Sequence, residues 1–215
     1  MNKNEIIAFF DGCAPMWDAD LVTDAGKIRT ILDAAGVREQ ATVLDVACGT
    51  GVLFPYYLER NAARVLGVDI SREMIRIAAK KIQDPRLAVL CGDIESIPVS
   101  EQYDCCVVYN AFPHFEEPGR LVERLALWTK PGGRLTVAHG MSLEMLHRHH
   151  EGRARTVSRE MLGPEELAEL FAPWFTVDVR VADEENISFP ESGGERTERS
   201  LRNAAALRRS QSQTF

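Results

Sequence analysis

The sequence V-L-D-V-A-C-G-T-G at residues 43–51 joins an apolar run to two closely spaced glycines. An apolar run of this kind predicts a buried strand, and glycines directly after it predict a tight turn. Glycine lets the backbone come close to a ligand, and the unpaired N–H groups at the start of a following helix attract negative charge. The stretch therefore predicts a ligand-binding turn at the end of a strand.

Similar apolar runs recur along the chain and alternate with helical patterns. Strands are predicted at 42–46, 64–68, 86–90, 103–109 and 134–138. Helices are predicted between them at 52–60, 71–82 and 118–129. This alternation is typical of an α/β protein with a Rossmann-like, doubly wound and mostly parallel sheet that has helices on both faces.

An N-terminal helical cover is expected to precede the sheet over residues 1–36. Helices are predicted at 4–12 and 20–35, and the second ends before Gly36, which suits a left-handed helix end. These helices belong to no βαβ unit, so we expect them to lie over the sheet.

The C-terminal third gives weaker signals. Helices are predicted at 142–151 and 164–171, and paired strands at 175–182 and 186–189. The polar sequence 191–215 is predicted to be a mobile tail, with one helical segment at 200–209 as the alternative. We therefore expect a single domain over 1–190, with the core at 42–190.

The composition limits the class of protein. Its 215 residues, 45% hydrophobic and 27% charged, are those of a globular domain that folds alone. The formal net charge of -7 argues against nucleic acid as a partner, because affinity for phosphates depends on Lys and Arg. We expect a small-molecule partner and no nucleic acid, and a homodimer remains open.

Location is predicted from what the sequence lacks. No apolar run approaches the roughly 18 residues of a membrane span, and the N-terminal residues include Lys3 and Glu5, which a signal-peptide core excludes. The five cysteines show no C-x-x-C spacing, so neither a disulfide framework nor a zinc knuckle is indicated. A cytoplasmic protein with no membrane partner and with mostly buried, reduced cysteines is expected.

Two acidic residues follow predicted strands. Asp69 comes 18 residues after Gly51, where a carboxylate can accept hydrogen bonds from both hydroxyls of a ribose. The alternative is a cap for the helix that opens at Ser71. Asp93, in C-G-D-I, could accept from an adenine amino group while Ile94 packs on the ring.

These residues resemble the class I S-adenosylmethionine-dependent methyltransferases, in the branch of the ubiquinone and menaquinone biosynthesis enzymes. The resemblance covers roughly residues 5–185, and four motifs carry it: V-L-D-V-A-C-G-T-G, G-V-D-I-S-R-E-M, G-D-I-E-S-I-P and K-P-G-G-R-L. It implies S-adenosylmethionine as the cofactor and S-adenosylhomocysteine as its product. It also implies that members usually end with a strand of the sheet.

Carried over by position, the resemblance implies a role for each matched residue. Gly49 and Gly51 would face the methionine part of the cofactor, with Ala47 in the same loop. Asp45 would orient the amino group through the loop or a water. The remaining roles are Asp69 for the ribose hydroxyls, Ile70 and Met74 for the adenine face, Asp93 and Ile94 for the adenine edge, and Asn110 for the wall beside the methionine part.

The N-terminal F-F-D-G-C-A-P-M-W-D also resembles the cap of these enzymes. Trp17 is the candidate to border the cofactor. The alternative is a core aromatic residue that anchors the cover helix, since large aromatic residues are most often packing residues.

The sequence indicates less about the residues that would contact the methyl acceptor. His114, in Y-N-A-F-P-H-F after the fourth strand, could remove a proton from a hydroxyl, thiol or amine, or could instead hydrogen-bond only to backbone. The same stretch lacks the Pro-Pro-aromatic motif of nucleic-acid amino methyltransferases.

The histidines of H-G-M-S-L-E-M-L-H-R-H-H, residues 139–150, suggest three interpretations. His139 and His147 could be catalytic or bind the acceptor. His139, His147 and His150 could converge on Zn²⁺ or Fe²⁺. Solvated histidines are the third interpretation, and we expect no metal.

The sequence therefore predicts a methyltransferase that moves a methyl group to a small molecule by in-line displacement. One alternative is a cofactor-binding or regulatory protein without turnover. Another is an NAD-dependent oxidoreductase, which requires a third glycine where Phe54 stands.

Overall fold

A seven-stranded sheet forms the centre of the molecule. The computed structural model describes residues 1–81, 83–140, 153–160, 162–181 and 204–209. The strands are β1 (Thr42–Val46), β2 (Arg64–Asp69), β3 (Leu87–Cys91), β4 (Tyr103–Tyr109), β5 (Thr129–Ala138), β6 (Phe175–Val181) and β7 (Ala204–Arg209). Their order is β3-β2-β1-β4-β5-β7-β6, with the first five parallel and β7 antiparallel to both its neighbours. The predicted doubly wound α/β class is confirmed.

The helices lie on both faces of this sheet. They are α1 (Lys3–Asp20), α2 (Ala25–Ala34), α3 (Phe54–Glu59), α4 (Arg72–Lys81), α5 (Pro118–Trp128) and α6 (Pro164–Phe171), with 3₁₀ turns at Phe112–His114 and Arg153–Val157. Strand residues alternate between the two faces. Cys105 packs in the cluster of α2 and α3, whereas Cys106 packs in the cluster of α5 and α6. Both thiols are buried, as predicted for core cysteines.

The cover helix α1 is longer than predicted. The predicted helix ends at Gly12, whereas α1 continues through Pro15 to Asp20. Proline lacks the N–H that a helix interior needs, so its presence was a reason to end the helix earlier. Contacts beyond the proline compensate, because Ala14 is buried and Asp18 hydrogen-bonds to Thr50 Oγ1 at 2.6 Å.

The second helix behaves as predicted at its C-terminal end. Gly36 has a φ of +72°, which is the left-handed conformation that glycine accepts most readily. Its N–H donates to the carbonyl of Asp33, which closes the helix.

The C-terminal prediction is wrong in one respect. Residues 204–209, assigned to a mobile tail with a helical alternative, form strand β7 between β5 and β6. Two neighbouring strands satisfy the backbone hydrogen bonds of this segment, which its own polar sequence did not reveal. The core thus extends past residue 190, and the predicted partner strand at 186–189 lies outside the described residues, as does the rest of 191–215.

The order of the strands reverses between β1 and β4. Connections leave these two strands in opposite directions, which opens a crevice at their carboxyl ends, where open α/β sheets bind ligands. Within the described ranges, no helix has the length and apolar character needed to span a membrane.

Candidate functional site

A cavity lies at the carboxyl ends of β1 to β4 and is covered by α1. It brings together all the residues predicted to bind the cofactor except Gly51: Trp17, Asp45, Ala47, Gly49, Asp69, Ile70, Met74, Asp93, Ile94 and Asn110. His114 lines it as well. Four strand ends and the cover helix therefore contribute to one wall.

The glycine turn after β1 is held by the end of β2. Gly49 has a φ of +55°, and its N–H donates to Asp69 Oδ2 at 2.8 Å. Asp69 Oδ1 accepts the N–H of Ser71 at 2.8 Å, and Ser71 itself caps α4, because its Oγ accepts the N–H of Met74 at 3.1 Å. Burial raises the pKa of this carboxyl, although its backbone donors act in the opposite direction. Asp69 thus joins two loops in the wall of the cavity.

Gly51 has a packing role in the described structure. It has a φ of +83°, and a Cβ on it would lie 2.5 Å from the ring of Phe54. A Cβ on Gly67 of β2 would also meet this ring, at 2.6 Å. Phe54, buried at the third glycine position of a dinucleotide fingerprint, fills the space between helix and sheet. This arrangement does not favour the nicotinamide alternative.

Asp45 is buried in the cavity wall at the end of β1. Burial raises the pKa of its carboxyl well above the usual range, and the nearby charge of Asp69 raises it further. Among the described residues, none hydrogen-bonds to its Oδ2 atom. A buried carboxylate oxygen of this kind fits a cationic ligand group, such as an ammonium.

Two other wall residues have an unusual backbone. Ala47 and Asn110 follow the neighbouring strands β1 and β4, and their φ angles are +54° and +55°. Residues other than glycine rarely adopt this conformation, and such residues concentrate at ligand sites. Asn110 is further held because its Oδ1 accepts the N–H of Gly140 at 2.7 Å.

The adenine side contains a charged group, Lys3, that was not among the predicted site residues. Lys3 Nζ lies 2.6 Å from Asp93 Oδ2 and 2.8 Å from Glu95 Oε2. Although burial lowers the pKa of Lys3, its bonds to the two acids produce a net increase. The same lysine bond helps to lower the pKa of Asp93 against the effect of burial. The sequence signal for this charged group was the D-I-E spacing, which places the two acids Asp93 and Glu95 two residues apart.

Helix α1 is attached to two further loops by its acids. Asp11 Oδ1 accepts the hydroxyl of Ser71 at 2.5 Å and the N–H of Glu73 at 3.1 Å, and so helps to cap α4. Asp18 bonds Thr50 of the glycine turn, as described above. Asp11 and Asp18 are seven residues apart, which places them on one face of a helix, and this spacing could have been recognised in the sequence.

Trp17 lies on α1 beside the glycine turn. Its Nε1 is 3.9 Å from the point that a Cβ on Gly49 would occupy, and its ring packs edge-on against Phe10 at 5.8 Å. It therefore borders the cavity, and its ring contact with Phe10 lies within α1. Below it, Ile70, Met74 and Ile94 supply the apolar surface expected for an adenine ring.

The histidines are placed differently from one another. His114 lines the cavity, and its ring packs edge-on against Phe10 at 4.9 Å. His139 is buried, with 1% of its surface exposed, and is not part of the cavity wall as far as the structure describes it. His147 and His150 lie outside the described residues. Within the described ranges, no group of three His, Cys, Asp or Glu residues could hold a metal ion.

Comparison with protein families identifies the core of this fold. A family model described as a methyltransferase domain matches residues 43–133. This part of the chain is therefore similar to a methyltransferase domain. The matched part of the methyltransferase domain includes β1 to β4 and α5, whereas α1, with Lys3 and Trp17, lies outside it.

Two curated relatives are similar to this chain over part of their length. The malonyl-[acyl-carrier protein] O-methyltransferase of Priestia megaterium (strain DSM 319 / IMG 1521) is 32% identical over 139 residues, which are 63% of this chain and 51% of that protein. The demethylmenaquinone methyltransferase of Renibacterium salmoninarum (strain ATCC 33209 / DSM 20767 / JCM 11484 / NBRC 15589 / NCIMB 2235) is 29% identical over 141 residues, 63% of this chain and 58% of that protein. The chain spans little more than half the length of these relatives.

A solved structure shows the same fold over nearly the whole chain. The N-methyltransferase NodS from Bradyrhizobium japonicum WM9, in complex with S-adenosyl-L-homocysteine, superposes with a TM-score of 0.69 at 14% identity. The match covers 97% of this chain and 99% of that one. The shared fold therefore extends beyond residues 43–133 over nearly the whole chain.

Proposed function

We propose that this protein is an S-adenosylmethionine-dependent methyltransferase that acts on a small, uncharged acceptor. The observation that supports this proposal most strongly is the convergence of the predicted cofactor residues, Gly51 excepted, on one cavity at the switch point of the sheet. Bound there, S-adenosylmethionine would supply an electrophilic methyl group on a sulfonium.

The residues of the cavity fit this cofactor. Asp69 retains lone pairs for ribose hydroxyls beyond its two backbone donors. Asp45 Oδ2, which has no hydrogen-bond partner among the described residues, suits the α-ammonium group. Asp93 suits the adenine amino group, but that group must share the carboxylate with Lys3.

The protein's own contribution to the reaction is positional. Trp17 and Phe10 cover the cavity from α1 and limit access of water, while the strained turns at Ala47 and Asn110 set the shape of its floor. Holding the reactants in line can account for a large part of the acceleration, since the leaving group is already good. His114 is our candidate to take the proton of an acceptor.

The charges in the wall indicate the class of acceptor. The acidic residues that line the described part of the cavity are Asp45, Asp69, Asp93, Glu95 and Glu116. The one Lys or Arg among the described lining residues is Lys3, which already serves two of these acids. The described wall therefore offers a carboxylate acceptor no cation that is not already paired, so an uncharged acceptor is favoured over one resembling the malonyl group.

The remaining aspects of the proposal follow from charge and cysteine state. A net charge of -7 and an acidic cavity favour a small molecule over nucleic acid. No disulfide links any of the five cysteines, all of which lie in the described residues, and this is consistent with a cytoplasmic location.

The first experiment measures thermal stabilisation of purified protein by S-adenosylhomocysteine and by NAD. Stabilisation is expected with S-adenosylhomocysteine alone, because a ligand that binds the folded state raises the melting temperature. Stabilisation by NAD alone would support the oxidoreductase alternative instead.

The second experiment compares acceptors by following release of S-adenosylhomocysteine. Phenols, amines, thiols and carbon acids are tested, each beside an analogue that carries an added carboxylate. Turnover is expected with an uncharged member and not with its carboxylate partner. Cofactor binding without turnover on any class would support the regulatory alternative.

A further inference from the structure

The His114 ring is held by a segment from another part of the chain. Its Nδ1 lies 2.8 Å from the carbonyl oxygen of Val157 and 3.2 Å from Ser158 Oγ. A carbonyl oxygen can only accept a hydrogen bond, so the bond at 2.8 Å requires the proton to be on Nδ1. In the neutral ring, Nε2 is then the nitrogen that carries the lone pair.

The same segment is attached to the loop that carries His114. The N–H of Arg159 donates to the carbonyl of Pro113 at 2.8 Å, and its Nη1 donates to the carbonyl of Glu116. The segment 157–159 therefore bonds to the residues on both sides of His114 as well as to its ring.

Burial restricts movement of the carbonyl that accepts from His114. The Val157 side chain is 2% exposed and packs in a small cluster with Ile6, Phe9 and Phe10 of α1. Rotating this carbonyl away would break the bond to Nδ1 and disturb the packing under the cover helix. The attachment is thus part of the folded structure rather than a surface contact.

We propose that residues 157–159 position His114 as a base by keeping the proton of its neutral ring on Nδ1. This inference rests on the proposed function. As the acceptor atom forms its bond to the methyl carbon, its proton moves to Nε2, and the carbon–sulfur electron pair stays on sulfur. The resulting imidazolium still donates from Nδ1 to Val157, which stabilises it, and Nε2 then releases its proton to water. Arg159 is a positioning residue in this scheme.

The proposal is tested by ¹⁵N NMR of the histidine side chains in the full chain. Spectra are recorded with and without S-adenosylhomocysteine, and the His114 signals are assigned by their loss in His114→Gln. The expected result is a neutral ring with hydrogen on Nδ1 and a lone pair on Nε2. A wild-type ring protonated on Nε2 in its neutral form overturns the proposal.

Variants separate positioning from general structural damage. Arg159→Ala is expected to change the spectrum from one tautomer to a mixture of two, and Arg159→Lys, which keeps a donor for Glu116, is expected to restore it. The control is Arg155→Ala, an exposed arginine two residues before Val157, which is expected to leave the tautomer unchanged. A single Nδ1–H tautomer in folded Arg159→Ala would contradict the role of Arg159.

A second variant keeps the test informative if Arg159→Ala does not fold. Ser158→Ala removes the longer contact but keeps the Val157 carbonyl, so the Nδ1–H tautomer is expected to persist. Its loss would show that Val157 is not the main acceptor and would overturn the proposal. Failure of the proposed function is distinguishable, because it appears as absence of S-adenosylhomocysteine binding whatever the tautomer.

Discussion

The carboxylate of Asp69 accepts the backbone N–H of Gly49 at 2.8 Å, so the end of β2 holds the turn that follows β1. Its other oxygen accepts the N–H of Ser71, the residue that precedes α4. One buried side chain therefore fixes two loops while it also lines the cavity. The ribose proposal and these two backbone bonds do not compete, because each carboxylate oxygen has more than one lone pair.

Replacing Asp69 by Ala is expected to weaken binding of S-adenosylhomocysteine at least about tenfold, because hydrogen bonds to charged groups contribute about 1.5–3 kcal/mol each. The melting temperature should also fall, since Gly49 and Ser71 lose their acceptor. Asp69→Asn keeps one oxygen and should be intermediate. Calorimetric titration provides the affinities, with Asp33→Ala, an exposed acid on α2, as the control. Wild-type affinity in folded Asp69→Ala would refute the ribose assignment.

Replacing Gly49 by Val is expected to abolish cofactor binding. A β-branched residue at a φ of +55° is strained, and its side chain would project toward Trp17 where the backbone must approach the ligand. Binding is measured by thermal shift with S-adenosylhomocysteine. Gly119→Val serves as the control, because Gly119 lies on α5 away from the cavity. Normal binding by Gly49→Val would place the glycine contact elsewhere.

Replacing Asp45 by Asn should stabilise the ligand-free protein at neutral pH and weaken cofactor binding. The pKa of Asp45 is raised well above 3.8, so its stabilising contribution is present below that value and is lost as the pH rises through the folded-state pKa. Asn never ionises. The difference in melting temperature, Asn variant minus wild type, should therefore grow from about pH 4 upward.

Asp104, at the other end of the sheet, provides a control for which the opposite pH dependence of stability is expected. Burial raises the pKa of Asp104, but hydrogen bonds from Thr42 and Lys130 outweigh it, and the pKa is lowered. Asp104→Asn should therefore destabilise the protein at neutral pH, with the difference shrinking as the pH falls through the range of the lowered pKa. Its cofactor affinity should not change. The same pH trend for both variants would contradict the assignment of Asp45.

Replacing His114 by Ala is expected to lower kcat about 100-fold or more while affinity for S-adenosylhomocysteine stays close to wild type, as expected for loss of a general base. His139→Ala is the comparison, because His139 is buried outside the described cavity wall. His139→Ala should lower the melting temperature, and its effect on kcat should be smaller than that of His114→Ala. The reverse pattern would favour His139 as the acceptor-side residue.

The metal alternative is tested by metal analysis of protein purified without an affinity tag. We expect no stoichiometric Zn or Fe, and activity that survives chelation. His147→Ala is then expected to leave the metal content unchanged. Stoichiometric metal that is lost in His147→Ala would instead support the site at His139, His147 and His150.

Much of the cofactor side could be predicted because its residues follow buried strands. The apolar runs before Asp45, Asp69 and Asn110 mark parallel strands, and the carboxyl ends of such strands meet at one edge. The C-terminal strand could not be predicted in this way. Residues 204–209 contain three alanines and two arginines, and neighbouring strands rather than local propensity make them extended.

The sequence by itself determined the five parallel strands and the glycine turn, because hydrophobic periodicity and turn chemistry are local properties that spacing reveals. Tertiary structure decided the rest. Lys3 meets Asp93 across 90 positions of sequence, and Val157 meets His114 across 43. Such pairs depend on how α1 and the segment after β5 pack on the sheet, and no local pattern encodes that packing. For the same reason, the tautomer of His114 follows from a distant backbone carbonyl and not from the residues beside it.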